Sequence, residues 1–217
     1  PTNPIEIGYF STPGDAYWIE IVDTIAYVAE RFSGIQILDI SDLTAPDSIG
    51  MVPMDFADAI NIQGDSMFVA SSSWGMKLLN ITDPLNPVIQ NENAGGGYAL
   101  DIYTSGDYTY VSHRSMGVGV YHISDPGFVT QISYIELEAP DKLTGRNDYL
   151  YVADAGNLQI IDIADPHNPQ IINTWVEGYV NNVVAYRNSL YLVGDPDVQI
   201  VNADDPYNLV LSGSLDG

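Results

Sequence analysis

The 217-residue sequence predicts an all-β fold, for three reasons. Short apolar runs rich in Ile, Val, Leu and Tyr recur along the whole chain, as is typical of buried strands. No window of about twelve residues or more carries the 3.6-residue period of an amphipathic helix. The pattern of runs also returns five times at a nearly constant interval, which indicates a repeat architecture.

The repeat is clearest between residues 150 and 169. Two apolar runs, 150–153 and 158–163, enclose a short polar break and lead into an Asp-Pro-x-Asn-Pro turn. The aspartate that begins this turn recurs at steps of 41, 42, 40 and 40 residues: Asp42, Asp83, Asp125, Asp165 and Asp205. An aromatic residue in the first run keeps nearly the same steps: Tyr27, Phe68, Tyr110, Tyr151 and Tyr191.

Each repeat predicts four strands. In the fourth repeat the strands are residues 142–145, 150–153, 158–163 and 170–175. The first two strands are joined by residues that favour tight hairpins: Asp23-Thr24, Gly64-Asp65, Gly106-Asp107, Asn147-Asp148 and Asn188-Ser189. The third and fourth strands are joined by an Asp-Pro or Asp-x-x-x-Pro turn, which proline makes rigid.

Four antiparallel strands in about 41 residues predict one blade of a β-propeller. The runs are apolar on both faces, so each blade must stack on its neighbours around an axis. We therefore predict a single propeller domain over residues 1–217. Its repeat units are approximately 18–54, 59–94, 98–137, 140–176 and 180–215.

The N-terminal segment resembles the end of a repeat whose beginning is missing. Asn3-Pro4 matches Asn86-Pro87 and Asn168-Pro169, so residues 5–10 are predicted to be an orphan outer strand, and the chain a fragment of a longer one. Two arrangements follow: a closed five-bladed ring in which the orphan strand competes for the last outer position, or an arc of a larger propeller. The closed ring is favoured, because an arc exposes two apolar blade faces.

The repeat resembles the LVIVD repeat family. The residues that carry the resemblance are Tyr27-Val28-Ala29, then Gly34 to Asp42 with its Gln-Ile-Leu-Asp-Ile-Ser-Asp core, then the Asn-Pro turn, in five copies over essentially the whole chain. The resemblance implies a secreted or cell-surface propeller of bacteria or archaea, and it brings no catalytic motif. Ile37-Leu38-Asp39 also resembles the Trp-Asp repeat propellers, although every repeat lacks the Trp, and this supports the fold only.

The composition disfavours several classes of partner. With 6 Lys plus Arg against 29 Asp plus Glu, the net charge is −23, so nucleic acid and anionic membranes are poor partners. The chain has no cysteine, which excludes disulfides, thiolate metal sites and Cys nucleophiles, and it has no transmembrane run. Much of the Asp serves repeated turns. The remainder suits solubility in high salt or loose Ca²⁺ binding, for which Asp195-Pro196-Asp197 and Asp204-Asp205 are weak candidates.

One face of the predicted disc is the expected binding surface. The loops between blades and the loops between second and third strands lie on this face. Their sequences differ from repeat to repeat, whereas the turns of the other face repeat. Aromatic rings interleaved with carboxylates suit a glycan or a protein partner, although the same residues also suit gap filling and solvation. The candidate binding residues are Asp15, Tyr17, Trp18, Asp55, Phe56, Asp58, Trp74, Tyr98, His113, Arg114, Asp141, Asp154, Tyr179, Asp195 and Asp197.

The function predicted from these features is a non-enzymatic extracellular or cell-surface module for binding, adhesion or assembly. Its partner is a protein or a glycan, and self-assembly through residues 5–10 is a further prediction. The alternative is a carbohydrate-active enzyme, a glycosidase or lyase, which needs two carboxylates about 5–10 Å apart across a pocket. No motif fixes such a pair, so no catalytic residue is assigned. One repeat position is predicted to bond the backbone of its own turn: Asp39, Asn80, His122, Asp162 and Asn202.

Overall fold

The computed structural model describes residues 4–94, 96–125, 128–194 and 198–215, and in these it contains twenty β-strands and no helix. The strands form five four-stranded antiparallel sheets, each with its strands in chain order. The predicted all-β propeller of four-stranded blades is confirmed.

Each sheet is one blade, numbered here along the chain. Blade 1 contains β1 (Trp18–Val22), β2 (Ile25–Ala29), β3 (Ile35–Asp39) and β4 (Asp47–Val52). Blade 2 contains β5 (Ala59–Gln63), β6 (Ser66–Ala70), β7 (Met76–Asn80) and β8 (Val88–Ala94). Blade 3 contains β9 (Ala99–Ser105), β10 (Tyr108–His113), β11 (Gly117–Asp125) and β12 (Phe128–Ile135). Blade 4 contains β13 (Pro140–Arg146), β14 (Tyr149–Asp154), β15 (Gly156–Asp162) and β16 (Gln170–Val180). Blade 5 contains β17 (Asn182–Tyr186), β18 (Ser189–Val193), β19 (Val198–Asn202) and β20 (Val210–Leu215).

Two-residue turns join the first and second strands of every blade. Their first residue has positive φ in each case: Asp23 (54°), Gly64 (57°), Gly106 (57°), Asn147 (53°) and Arg187 (52°). Four turns lie where the sequence predicts them, but the fifth is Arg187-Asn188 rather than Asn188-Ser189. The reason is the strand register, which pairs Tyr186 with Ser189 and thereby directs Leu190 and Leu192 into the core.

The turns after the third strands are held by carboxylates and amides within the turn itself. Side-chain oxygens accept the N–H two residues ahead at 2.8–3.0 Å in four repeats: Asp39 to Ser41, Asn80 to Thr82, Asp162 to Ala164 and Asn202 to Asp204. The turn aspartates do the same at 2.9–3.1 Å: Asp42 to Thr44, Asp83 to Leu85, Asp165 to His167 and Asp205 to Tyr207. The predicted turn-bonding role is confirmed at these positions, while the His122 ring lies against Tyr108 at 5.2 Å between centroids.

Four apolar clusters fill the gaps between consecutive blades. Each cluster contains alternate residues of the two sheets that face each other. Successive side chains of a strand point to opposite faces of the sheet, so a blade directs alternate residues to its two sides. The repeated aromatic of the second strand points towards the next blade and is almost fully buried in blades 1 to 4: Tyr27, Phe68, Tyr110 and Tyr151. In blade 5 the equivalent Tyr191 is only half-buried.

The ring is open between blade 5 and blade 1. The innermost strands pack in succession from β1 through β5, β9 and β13 to β17, but within the described residues β17 does not pack against β1. Ile19 and Ile21 on blade 1 are each 55% exposed, and Val184 on blade 5 is 51% exposed. The expectation of a closed five-bladed ring is therefore wrong, because the facing sides of blades 1 and 5 lie open to solvent instead of packing on each other.

The N-terminal segment partly covers the open face of blade 1. Residues 5–10 form no strand, since no third strand lies beside them to share hydrogen bonds. The Phe10 ring packs against Ala26, Val28 and Leu38.

The open ring predicts different costs for one substitution at two equivalent positions. Ile37 and Ile200 occupy the same register of the third strand, but Ile37 is fully buried between blades and Ile200 is half-buried. We expect Ile37→Ala to lower the free energy of unfolding by about 2–5 kcal/mol, and Ile200→Ala by less than about half as much. Urea denaturation measures both. Equal losses would contradict the open arrangement.

Candidate functional site

The predicted loop face exists as one continuous surface. The loop after each second strand makes a backbone hydrogen bond to an inter-blade loop, for example Ala57 N–H to Arg31 O at 2.8 Å and Arg114 N–H to Tyr98 O at 3.1 Å. Blade 4 repeats the arrangement, with Ala155 N–H donating to Ala139 O at 3.4 Å, and in blade 5 Asn181 N–H donates to Val193 O, at the end of β18, at 2.7 Å. These bonds hold the variable loops in fixed positions on the scaffold.

Arg31 is the centre of a cluster on blades 1 to 3. Its guanidinium lies 4.9 Å from the ring centroid of Tyr17 and 5.2 Å from that of Phe32. Its Nε is 3.4 Å from Oδ1 of the buried Asp58, and the side chain also hydrogen-bonds Tyr98. This ion pair is the one found among the described residues, in a chain that carries 29 acidic groups.

Two ring contacts extend the cluster. Phe32 and Phe56 meet edge to face at 5.4 Å between centroids, and the Arg114 guanidinium lies 5.2 Å from the centroid of Tyr98. We call this set the aromatic–arginine patch: Tyr17, Arg31, Phe32, Phe56, Tyr98 and Arg114. Cation–π contacts at such distances contribute about 0.5–1 kcal/mol each at exposed sites, so the patch is held largely by its own members.

The loop face also carries positive charge. Of the six Lys and Arg residues in the chain, Arg31 and Arg114 belong to the patch, and Lys142 lies near the start of an innermost strand. The Lys142 ammonium is 5.2 Å from the ring of Trp18, so side chains of blades 1 and 4 approach each other across the axis. The face therefore combines these cations with exposed carboxylates such as Asp15, Asp55 and Asp141.

A small cleft of about 230 Å³ adjoins the patch. Among its lining residues are Arg114 of blade 3, Asp141 of blade 4, and Tyr179 and Asn181 before blade 5. The cleft thus presents a guanidinium, a carboxylate, an amide and an aromatic ring to one volume. Such a set can bind a small polar ligand such as a sugar ring.

Several carboxylates on this face are structural. Asp154 is buried, and its Oδ1 accepts the Ala139 N–H at 2.7 Å while Oδ2 accepts from Gln159 at 3.3 Å. Asp58 is buried and receives the Ser72 hydroxyl as well as Arg31. Such carboxylates tie loops together, and their oxygens are already occupied.

Two buried groups near this face have pKa values shifted from their ordinary values. Burial raises the pKa of Asp101 to about 6, against the attraction of Lys142, while its Oδ2 accepts the Leu143 N–H at 2.9 Å. Burial lowers the pKa of His113 to about 4, and its Nε2 lies 3.1 Å from the Tyr121 hydroxyl oxygen. Both groups are therefore mainly neutral between about pH 4 and 6.

The structure sorts the predicted site residues by exposure. Exposed residues are Asp15, Tyr17, Asp55, Trp74, Arg114, Asp141 and Tyr179. Half-buried residues are Trp18, Phe56 and Tyr98, and buried residues are Asp58, His113 and Asp154. Asp195 and Asp197 lie outside the described residues. Sequence reasoning missed Arg31, Phe32 and Asn181, although a loop arginine in a chain with so few cations was a usable signal.

No group of three or more metal-ligating side chains is found in the described part of the chain. Of the weak Ca²⁺ candidates, Asp205 accepts from Tyr207 N–H at 3.0 Å and from the Asn208 amide at 2.7 Å, within its own turn. Over the same residues, no helix is long and apolar enough to cross a membrane.

Asp101 and His113 predict opposite pH dependences of stability. The folded-state pKa of Asp101 is above the ordinary 3.8, so its contribution to stability is lost as pH rises from about 4 to 6. The folded-state pKa of His113 is below 6.5, so its contribution is lost as pH falls from about 6.5 to 4. Each slope reaches at most about 1.4 kcal/mol per pH unit.

The two single variants separate these effects. On acidification from pH 6.5 to 4, we expect Asp101→Asn to lose stability relative to His113→Gln, because each variant retains only the other group's dependence. Urea midpoints at pH 4, 5, 6 and 7 measure the difference, with the exposed Asp15→Asn as control. Parallel pH profiles of the two variants would contradict the assignment.

Solved structures similar to this chain are β-propellers. A protein from Lactobacillus plantarum superposes with a TM-score of 0.79 at 13% identity, covering 96% of this chain and 73% of its own. A functionally unknown protein from Desulfotomaculum acetoxidans gives 0.77 at 13%, covering 96% and 72%. The Cps50 (Swd1) β-propeller domain of Myceliophteria thermophila gives 0.76 at 12%, covering 99% and 76%. The chain spans only 62% of the computationally designed Ika8 protein, which it matches with a TM-score of 0.69 at 10% identity.

The sequence comparison agrees with the repeat analysis. No match was found among curated proteins. The LVIVD repeat family model matches residues 13–53, 96–131 and 146–175, which lie in blades 1, 3 and 4 and the loops that flank them. Blades 2 and 5 have the same four-stranded order, so the architecture of the matched repeats extends over all five sheets. The resemblance stated from the residues is thus confirmed at these three segments, and the chain is a β-propeller in which they match the LVIVD repeat.

Proposed function

We propose that the chain is a non-enzymatic protein-binding module whose contact surface is the aromatic–arginine patch. The observation that carries the proposal is the exposure of large rings around fixed arginines: Tyr17 is 50% and Phe32 62% exposed. Trp74, also 50% exposed, lies in the loop after β6.

The composition of the patch favours a protein partner. Tyr, Trp and Arg are the residue types most enriched among interface hot spots, and Lys is depleted there. Because Arg31 is fixed by Asp58, Tyr17 and Tyr98, little side-chain entropy remains to be lost on binding. An ordered array of exposed rings suits a protein surface better than an isolated small molecule.

An extracellular or cell-surface location forms part of the proposal. Its support is the LVIVD repeat itself, since the resemblance implies secreted or surface propellers. The net charge of −23 also argues against a nucleic-acid partner. Adhesion is the role that joins a surface location to a protein-binding face.

The second candidate is carbohydrate recognition at the cleft between blades 3 and 5. Tyr179 is 57% exposed there, beside Arg114, Asp141 and Asn181. A glycosidase needs two carboxylates across one pocket, and Asp141 is the one carboxylate among the described lining residues. The cleft therefore favours sugar binding over sugar hydrolysis.

A phage-displayed peptide library panned on the immobilised chain tests the proposal. We expect Phe32→Ala and Arg114→Gln each to weaken the selected binders by more than about tenfold, because truncating a hot-spot residue costs about 2 kcal/mol or more. Biolayer interferometry of single peptides measures the effect. The matched controls are Tyr186→Ala and Arg187→Gln, which break a cation–π pair of 5.3 Å at the β17–β18 turn.

Binders that lose affinity equally on patch and control variants would refute the patch as the contact surface. A glycan array run in parallel identifies the second candidate. Sugar binding that Tyr179→Ala abolishes and Phe32→Ala leaves intact would replace the protein-binding proposal.

A further inference from the structure

The two open blade faces carry residues that equivalent positions bury elsewhere. On blade 1, Ile19, Ile21 and Leu38 occupy the register of Ile60, Ile62 and Leu79 on blade 2. Ile60 is fully buried against blade 1, whereas Ile19 is 55% exposed. The open face of blade 1 also bounds an apolar groove of about 520 Å³.

Blade 5 presents the complementary face. Its Tyr191, Val193 and Ile200 occupy the register that Tyr27, Ala29 and Ile37 hold on blade 1, where they pack against blade 2. Val184 pairs with Tyr191 in the register. Val184 and Val193 are 51% and 41% exposed, while Tyr27, Ala29 and Ile37 are at most 1% exposed. The open face of blade 5 therefore corresponds to the faces that pack against a following blade. The open face of blade 1 corresponds to the faces that pack against a preceding blade.

The outer strands show a second repeated contact between blades. One position of the fourth strand reaches the turn of the following blade: the Ser133 hydroxyl donates to Pro166 O at 2.6 Å, and the Asn173 amide donates to Tyr207 O at 3.1 Å. In blade 1 this position is Gly50, and a Cβ built on it would lie 3.6 Å from Leu85 O.

Gly8 makes the same contact in front of blade 1. Gly8 is the fourth residue after Pro4, as Gly50 is the fourth residue after Pro46. A Cβ built on Gly8 would collide with the Leu43 carbonyl oxygen, and Leu43 belongs to the corresponding turn of blade 1. At the other end of the arc, Gly213 holds this position, and no described atom would lie within 4 Å of its Cβ.

We propose that the open faces of blades 1 and 5 are docking surfaces for two further LVIVD-type blades, supplied by additional repeats of the same polypeptide. The blade next to blade 1 takes residues 5–10 as its outermost strand. Those residues already lie where the fourth strand of that blade would lie, and they lack the three inner strands that would pair with them.

The number of blades follows from the superpositions. The unmatched part of the Lactobacillus, Desulfotomaculum and Myceliophteria chains is about a quarter of each, which corresponds to roughly 70–80 residues. At 40–42 residues per repeat this is about two blades. One complete blade and the three inner strands of another fill that length.

Continuity with the existing interfaces favours repeats over a second copy of the chain. Every filled gap joins a face like that of blade 5 to a face like that of blade 1, so a further LVIVD blade fits both sides. A second copy would bring five blades to a gap of about two. It would also add its own net charge of −23, which opposes association.

The test is a chain extended by its own repeats. A second copy of residues 96–165, fused after residue 215, supplies blade 3 and the three inner strands of blade 4. We expect a monomer whose Tm is higher by about 10 °C or more, because two apolar faces become buried. Deleting residues 1–10 lowers the Tm of the extended chain much more than that of the 217-residue chain.

Substitutions on the open faces give an independent reading. Ile21→Lys is expected to leave the Tm of the 217-residue chain within about 2 °C and to lower that of the extended chain by about 5 °C or more. Val176→Lys, at a position that is 68% exposed on blade 4, is the control and is expected to be neutral in both. Equal effects of Ile21→Lys in the two chains would overturn the proposal.

The 217-residue chain decides the outcome if the extended chain does not fold. Binding of an apolar dye that Ile21→Lys and Val184→Lys both reduce supports open docking faces. Dye binding that neither substitution changes overturns them. Concentration-dependent oligomers in sedimentation that these substitutions dissolve would show that a second copy occupies the faces, and would overturn the choice of partner.

Discussion

Face-to-face packing of neighbouring blades is the interaction on which the rest of the structure depends. A four-stranded sheet with apolar residues on both faces has no stable existence alone, because roughly half of its side chains would face water. The two-residue period of each strand assigns alternate side chains to the two gaps, and an aromatic in the second strand fills the wider part of each. The strand register, the hairpin turns and the position of every loop follow from keeping that alternation intact.

The acidic composition is the consequence of the same repetition. Each blade needs a rigid reversal between its third and fourth strands, and an Asp or Asn oxygen that accepts the N–H two residues ahead provides it without outside help. Because these carboxylates are satisfied locally, they need no cationic partners. Burial also raises the pKa of two acids in the interior, Asp101 and Glu30, and so favours their neutral forms. Three of the six cations, Arg31, Arg114 and Lys142, lie on or near the loop face.

The sequence predicted the structural features that recur in every blade and did not predict those that occur only once. Strand order, four of five hairpin turns and the turn-bonding side chains were readable, since five copies of one pattern average out local ambiguity. Arg187 took the positive-φ position that asparagine usually holds, because the core register of Leu190 and Leu192 outweighed local preference. The Arg31 cluster depends on loops from three blades meeting in space, and the burial of Asp58 and His113 depends on loop-to-loop hydrogen bonds. Neither arrangement produces a periodic pattern in the sequence. The prediction of a closed ring was wrong because the angle between blades depends on how their side chains pack, which the sequence pattern does not show.

The open edge of the arc and the candidate binding face meet at one point. Tyr17 belongs to the aromatic–arginine patch, and together with Trp18 it also lines the apolar groove on the open face of blade 1. A blade docked in that groove would contact Tyr17. Since Arg31 is positioned partly by Tyr17, completing the ring would also reduce the freedom of the patch. Given both proposals, ring completion and binding would be coupled through side-chain order.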